Sequence, residues 1–231
     1  EKRMTYGPLS WDFVAELRPF LRKAGALLDM GTGGGELLAS LAPLPADTCA
    51  TEGYPPNLPV ARQRLEPLGV RVVAPGEGDH LPFPDERFEL ILNRHESFSA
   101  PEVFRVLKPG GAFVHQSVGG TDLLDLNVAL GALPPEFLDW TLDEALNRLL
   151  AAGFAIAAKQ EELIPVHFLD IGALVAYLKV IAWQVPDFEV ARYRPALRKI
   201  HEEIARQGRV RFQGHRFFLV ARRPGLPRQG E

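Results

Sequence analysis

Leu27-Leu28-Asp29-Met30-Gly31-Thr32-Gly33-Gly34-Gly35-Glu36 is the stretch on which the fold turns. Its apolar opening, with Ala26 before it, reads as a short buried strand. The glycines after Asp29 read as a tight turn, and residues 36–41 as the start of a helix. Without a Cβ, such a turn lets the backbone approach a ligand closely, and the helix start offers free N–H groups. By itself the turn is equally a plain strand-to-helix connection. Spacing narrows the choice. A dinucleotide fingerprint puts its third glycine at position 36, where Glu36 stands, and no Gly-Lys-Ser/Thr of a triphosphate loop follows. Asp29 would repel a phosphate and suits a cationic or zwitterionic ligand. Glu52 stands at the end of the next strand, where an acid reaches ribose hydroxyls in folds of this kind. Taken alone, Glu52 is as well a solvated strand-end acid.

Outward from this loop, the first two thirds of the chain alternates helix-like and strand-like segments, the pattern of a parallel sheet covered by helices. Helices are expected at 11–23, 36–41, 57–68, 101–107 and 142–152. Strands are expected at 26–29, 47–52, 70–74, 88–93, 112–118, 154–159 and 216–222. The expected fold is a doubly wound, Rossmann-like α/β domain with a seven-stranded, mostly parallel sheet and a helical cap inserted between the last two strands. The 231 residues read as one such domain. Residues 119–140 and 165–208 exceed the minimal alternation and are expected to form cap insertions over the carboxyl edge of the sheet. Within them, residues 171–183 are apolar on nearly every face, and Val190, Tyr193, Leu197, Ile200 and Ile204 recur at helical spacing. Asp29, Glu52, Glu77 and Asn93 all fall at carboxyl ends of expected strands, where doubly wound sheets bind ligands.

These stretches give the chain a family likeness. Asp29-Met30-Gly31-Thr32-Gly33-Gly34-Gly35, Thr51-Glu52-Gly53-Tyr54, Gly76-Glu77-Gly78-Asp79-His80-Leu81-Pro82-Phe83 and Val103-Phe104-Arg105-Val106-Leu107-Lys108-Pro109-Gly110-Gly111 follow one another in order. Over residues 24–118 the chain resembles the class I S-adenosylmethionine-dependent methyltransferases, in particular the small-molecule enzymes of the ubiquinone and menaquinone type. The resemblance implies S-adenosylmethionine as cofactor, with Asp29, Gly31, Thr32, Gly33, Glu52, Gly53, Glu77, Gly78 and Asn93 around it. Glu52 would serve the ribose. Glu77 and Gly78 would serve the adenine, where the family usually carries Asp-Ala. It also implies methyl transfer to a small-molecule acceptor.

Transfer from a sulfonium is an in-line displacement, so the protein mainly aligns the reactants and excludes water. A base is needed only for an acceptor that arrives protonated. His95, beyond the strand at 88–93, is the candidate, with Glu96 beside it; the plainer reading is a loop histidine that packs near the cofactor. His115 is expected to be buried and satisfied, His201 and His215 structural or exposed, and Cys49 part of the core. No metal-ligand spacing stands out.

Composition sets the outer bounds. Net charge is −3, yet residues 190–231 carry eleven Lys/Arg against three Glu. Because those arginines are interleaved with apolar residues, a solvated face is favoured over a nucleic-acid footprint. No apolar run approaches the ~20 residues of a membrane span, and one cysteine excludes an internal disulfide. A cytoplasmic protein is expected. The chain starts at Glu1 without an initiator methionine, which suggests trimming. Two alternatives stay open: an RNA methyltransferase using the basic tail, and a non-catalytic S-adenosylmethionine-binding protein.

Overall fold

A computed structural model describes residues 3–76, 80–186 and 188–225. In chain order its main elements are β1 (Met4–Tyr6), α1 (Phe13–Leu21), β2 (Ala26–Met30), α2 (Glu36–Ser40), β3 (Asp47–Thr51), α3 (Asn57–Leu65), β4 (Arg71–Val73), β5 (Phe88–Arg94), α4 (Ala100–Val106), β6 (Leu107–Val118), α5 (Leu124–Leu130), α6 (Leu142–Ala151), β7 (Ala155–Phe168), α7 (Ile171–Val180), α8 (Val190–Gln207) and β8 (Val210–Arg222). The strands are ordered β1-β7-β8-β6-β5-β2-β3-β4. The described sheet therefore holds eight strands where the sequence reading expects seven. The addition is β1, a three-residue strand pairing antiparallel with the end of β7, Met4 against Phe168 and Tyr6 against Val166. A second correction concerns 165–208, which does not begin as a cap insertion, because β7 continues through Pro165 to Phe168.

The chain forms two compact units. The larger contains the described residues of Trp11–Ser117, Ala145–Gln160 and 218–225. Its centre is β2, whose five residues are all buried and which pairs in parallel with β3 on one side and β5 on the other. An apolar run suits a strand covered on both faces. From β2 the chain winds outward to β3 and β4, then returns to β5 on the opposite side, with β6 beyond it in parallel. Strand order thus reverses between β2 and β5, the place where a doubly wound sheet opens a crevice at its carboxyl ends. Helix α1 is started by Asp12, whose carboxylate accepts from the N–H groups of Val14 and Ala15 at 2.8 and 3.0 Å. Lys108-Pro109-Gly110-Gly111, between the helix expected at 101–107 and the strand expected at 112–118, lies inside β6, with a register shift opposite between Phe88 and Leu90. Cys49 is buried in β3.

The smaller unit contains the chain up to Ser10, Val118–Glu144 and Glu161–Phe217. Its core gathers Leu123, Leu126 and Leu130 around α5, Leu174 and Leu178 of α7, Tyr193, Leu197, Ile200 and Ile204 of α8, and Phe168 and Phe212 from the strands. The helical stripe read from the sequence is thus buried, except Val190. Gln184 and Asn127 tie the turn after α7 to α5: Gln184 Nε2 donates to Asn127 Oδ1 at 2.6 Å and Asn127 Nδ2 to the Gln184 carbonyl at 2.7 Å. His215 is buried, its ring between the Thr121 hydroxyl at 2.7 Å and Glu161 at 2.8 Å. Arg216 pairs with buried Asp122 at 2.5 Å. Part of the basic tail is therefore spent inside the fold. No helix among the described residues is long and apolar enough to cross a membrane.

Candidate active site

The crevice between β2 and β5 collects the functional candidates. Met30 and Asn93 are direct neighbours across the two strands, so the turns leaving them start side by side. Gly31 and Gly33 both take left-handed backbone angles, φ 66° and 60°, which side chains disfavour. Three bonds to the end of β3 hold the loop: Gly31 N–H to Thr51 Oγ1 at 3.3 Å, Thr32 N–H to the Thr51 carbonyl at 2.8 Å, and Gly33 N–H to Glu52 Oε2 at 2.6 Å. Glu52 also accepts from Tyr54 N–H through Oε1 at 2.7 Å. The Thr32 hydroxyl donates to Asp29 Oδ2 at 2.7 Å. A Cβ placed on Gly33 would meet nothing within 4 Å, so the space before the loop is open there. A Cβ on Gly31 would collide with the Glu96 side chain at 2.5 Å.

That position of Glu96 is a product of the turn after β5. Asn93 is fully buried, and its Oδ1 accepts the Glu96 N–H at 3.2 Å. His95 between them adopts φ 70°, with its own N–H on the Gln116 carbonyl at 2.9 Å. The chain is thereby folded back, and Glu96 lies across the glycine loop while the His95 residue is exposed. Asn93 Oδ1 also lies 3.2 Å from His115 Nδ1. Burial pushes the His115 imidazole down to about 3, with nearby His95 adding to the effect, so the ring is neutral at ordinary pH.

The electrostatics have one sign. Burial pushes the Asp29 carboxyl up to about 7, against the Thr32 bond and helped by the charge of Glu52. Glu96 is also raised, first by desolvation of its carboxyl against the loop, opposed by bonds from Ser97, with Glu52 adding. Neither these two nor Glu52 pairs with a Lys, Arg or His among the described residues. Nor do the described acids form a group arranged to hold a metal ion. An open crevice lined by acids without basic partners among the described residues is suited to an organic cation bearing hydroxyls.

Of the residues singled out in the sequence, Asp29, Gly31, Thr32, Gly33, Glu52 and Asn93 meet at this crevice. Gly53 follows Glu52, exposed, with Pro75 3.5 Å from where its Cβ would be. Glu77 and Gly78 lie outside the described residues. Thr51, whose hydroxyl and carbonyl both bind the loop, stands in the quoted Thr51-Glu52-Gly53-Tyr54 stretch without a role, because a strand threonine carries no signal of its own.

Comparison with known proteins agrees with this layout. A family model described as "Methyltransferase domain" matches residues 28–115. The ubiquinone biosynthesis O-methyltransferase of Cereibacter sphaeroides is 31% identical over 145 residues, 55% of this chain and 59% of that one. Its counterpart in Ruegeria pomeroyi is 31% identical over 170 residues, 65% of this chain and 67% of that one. The chain belongs to the class I S-adenosylmethionine-dependent methyltransferases. As a methyltransferase it matches about three fifths of the Cereibacter relative's length. The matched span 28–115 runs from β2 into β6 and so contains every described residue of the methyltransferase crevice. Among solved structures, the [4+2]-cyclase SpnF matches with a TM-score of 0.59 at 21% identity, covering 95% of this chain and 88% of that one, a likeness of fold alone.

The residues present fit the family's cofactor. The space before Gly33 admits a ligand that a side chain would exclude. The acids suit a sulfonium, an ammonium and a ribose. Asn93 Nδ2, fully buried, has no hydrogen-bond partner among the described residues.

Proposed function

We propose that the chain transfers a methyl group from S-adenosylmethionine to a small-molecule acceptor. The observation that carries this reading is the bond between Gly33 N–H and buried Glu52, which ties the open glycine loop to an acid at the next strand end. In this reading Glu52 accepts from the ribose hydroxyls with the lone pairs its two backbone bonds leave free. The Gly31–Gly33 backbone underlies the cofactor, Asp29 and Thr32 support the loop, Asn93 fixes the turn after β5, and Glu77 and Gly78 receive the adenine. Gly53 follows Glu52 on the exposed side of the same turn. The bound cofactor supplies a methyl already activated by the sulfonium.

The protein's own tasks are alignment and exclusion of water. For a hydroxyl acceptor, His95 is the proposed base, an imidazole on an exposed turn taking the proton as oxygen attacks. Residues 119–140 and 169–208, the latter starting after β7, are proposed as cap insertions. Their helices share an apolar core, while Val180 and Trp183 remain exposed apolar surface. The relatives' names favour an oxygen nucleophile. The RNA reading loses ground, because Arg216 is paired with Asp122, Arg223 with Glu86, and Arg222 lies over the Phe20 ring. The test is a calorimetric titration with S-adenosylmethionine and S-adenosylhomocysteine, followed by a screen of hydroxylated acceptors with labelled donor. Binding and label transfer support the proposal. Binding of NAD with no response to either sulfur nucleoside overturns it, and binding without transfer to any acceptor favours the non-catalytic alternative.

A further inference from the structure

We propose that Glu96 is a specificity-determining residue of the donor site, whose carboxylate over Gly31 faces the sulfonium charge and makes the crevice prefer a sulfonium nucleoside to the neutral thioether product. The inference rests on the donor reading above and goes beyond it, since it assigns a residue that the family motifs leave out.

The first support is the backbone. A histidine with φ 70° is uncommon, and such residues cluster where a site demands an unusual chain path. Here the demand is visible: the left-handed step at His95 and the Asn93 side chain on Glu96 N–H return the chain to the glycine loop. The next residue, Ser97, donates its N–H and hydroxyl to Glu96 Oε1 at 3.2 and 3.3 Å, which orients the carboxylate. Oε2, the oxygen nearest the Gly31 Cβ position, accepts no hydrogen bond from any described residue. It is available to a ligand, and the residue is exposed.

The second support is charge. Glu96 lies near enough to Glu52 for that charge to raise its proton affinity, and neither acid has a basic partner among the described residues. Like charges left uncompensated at one place are stabilised by a cation between them. Donor and product share the ribose, the ammonium and the carboxylate of the amino-acid arm. They differ at sulfur, which is one methylene from the ribose ring. With the ribose on Glu52, the proposal sets the sulfonium, and not the shared ammonium, beside the Glu96 carboxylate over Gly31. Glu96 therefore acts on the difference between them.

The test compares wild type with Glu96→Gln, which keeps the shape and removes the charge. Dissociation constants for S-adenosylmethionine and S-adenosylhomocysteine are measured by calorimetry in one buffer. The affinity for the sulfonium donor should fall at least about fivefold more than that for the thioether, the scale of one partly screened charge pair. Glu96→Asp, which restores the charge, should recover most of the preference. Equal losses for both ligands, or no loss for either, would overturn the proposal while leaving the donor reading intact. Failure of the wild-type protein to bind either nucleoside would overturn the donor reading and this inference together.

Discussion

Replacing Asp29 by asparagine should remove a loss of stability that the ligand-free protein undergoes as pH rises from 5 to 8. Asp29 is only 3% exposed, and its carboxyl is raised from the 3.8 of a free aspartate to about 7, chiefly by burial. Between those values the folded chain keeps a proton that the unfolded chain has released. The stabilisation linked to that proton is complete below 3.8 and is lost as pH rises through 7. From pH 5 to pH 8 the loss covers about two pH units at about 1.4 kcal/mol each, an upper value near 3 kcal/mol. Asparagine cannot ionise, so it removes that slope. Its Oδ1 can still accept from the Thr32 hydroxyl. Its new N–H₂ group adds a penalty of about 1–3 kcal/mol if it finds no acceptor, but that offset does not vary with pH. The stability difference between variant and wild type should therefore move by about 2–3 kcal/mol in the variant's favour between pH 5 and pH 8. Because the chain has two compact units, a probe within the relevant one is needed. Cys49, the single cysteine, is fully buried in β3 of the unit that holds Asp29. Urea titrations read by a short pulse of thiol label at Cys49 would report that unit's unfolding. A difference that stays constant from pH 5 to pH 8 would refute the reasoning, since Asp29 would then titrate as an ordinary carboxylate.

Three further outcomes follow, two at the same site and one at Arg105. Glu52→Ala should weaken donor binding by about 1.5–3 kcal/mol in a calorimetric titration, the range for bonds to a charged group; an unchanged dissociation constant removes Glu52 from the site. Gly33→Ala should leave the protein folded, at a cost of about 1–2 kcal/mol for the left-handed backbone, yet lose donor affinity, because its methyl enters the open space before the loop. Arg105→Ala should lower thermal stability, since its guanidinium holds Glu102, Asp85 and the Leu81 and Phe83 carbonyls. The Arg105 bonds are also the main cause that holds Glu102 down to about 2, so wild-type stability is retained above 4.5 and lost as pH falls toward 2, and the variant should lack part of that acid-range loss.

What the sequence made legible was the part written in short-range pattern. An apolar strand ending in glycines located β2 and its loop, and the acid at the next strand end located Glu52. The stripe from Tyr193 to Ile204 located α8. The edge strand β1 was not legible, because three residues carry no period. The continuation of β7 past residue 159 was hidden first by polar Gln160-Glu161-Glu162 and then by Pro165, which usually argues against a strand. Here its carbonyl receives the Gly7 N–H at 2.7 Å, just past the β1 pairing. In the turn Asn93-Arg94-His95-Glu96, chemistry drew attention to the histidine. The hydrogen bond from Glu96 N–H to Asn93 and the left-handed step at His95 instead lay the glutamate across the loop, and no periodicity records that direction.

The central claim is that the Gly31–Gly33 crevice holds the donor by its ribose on Glu52, and the direct measurement is a crystal structure of the protein with S-adenosylhomocysteine. The account predicts density along the glycine loop with the ribose hydroxyls within about 3 Å of the Glu52 carboxylate. Density for the nucleoside elsewhere, with Glu52 still bound only to the N–H groups of Gly33 and Tyr54, would contradict it.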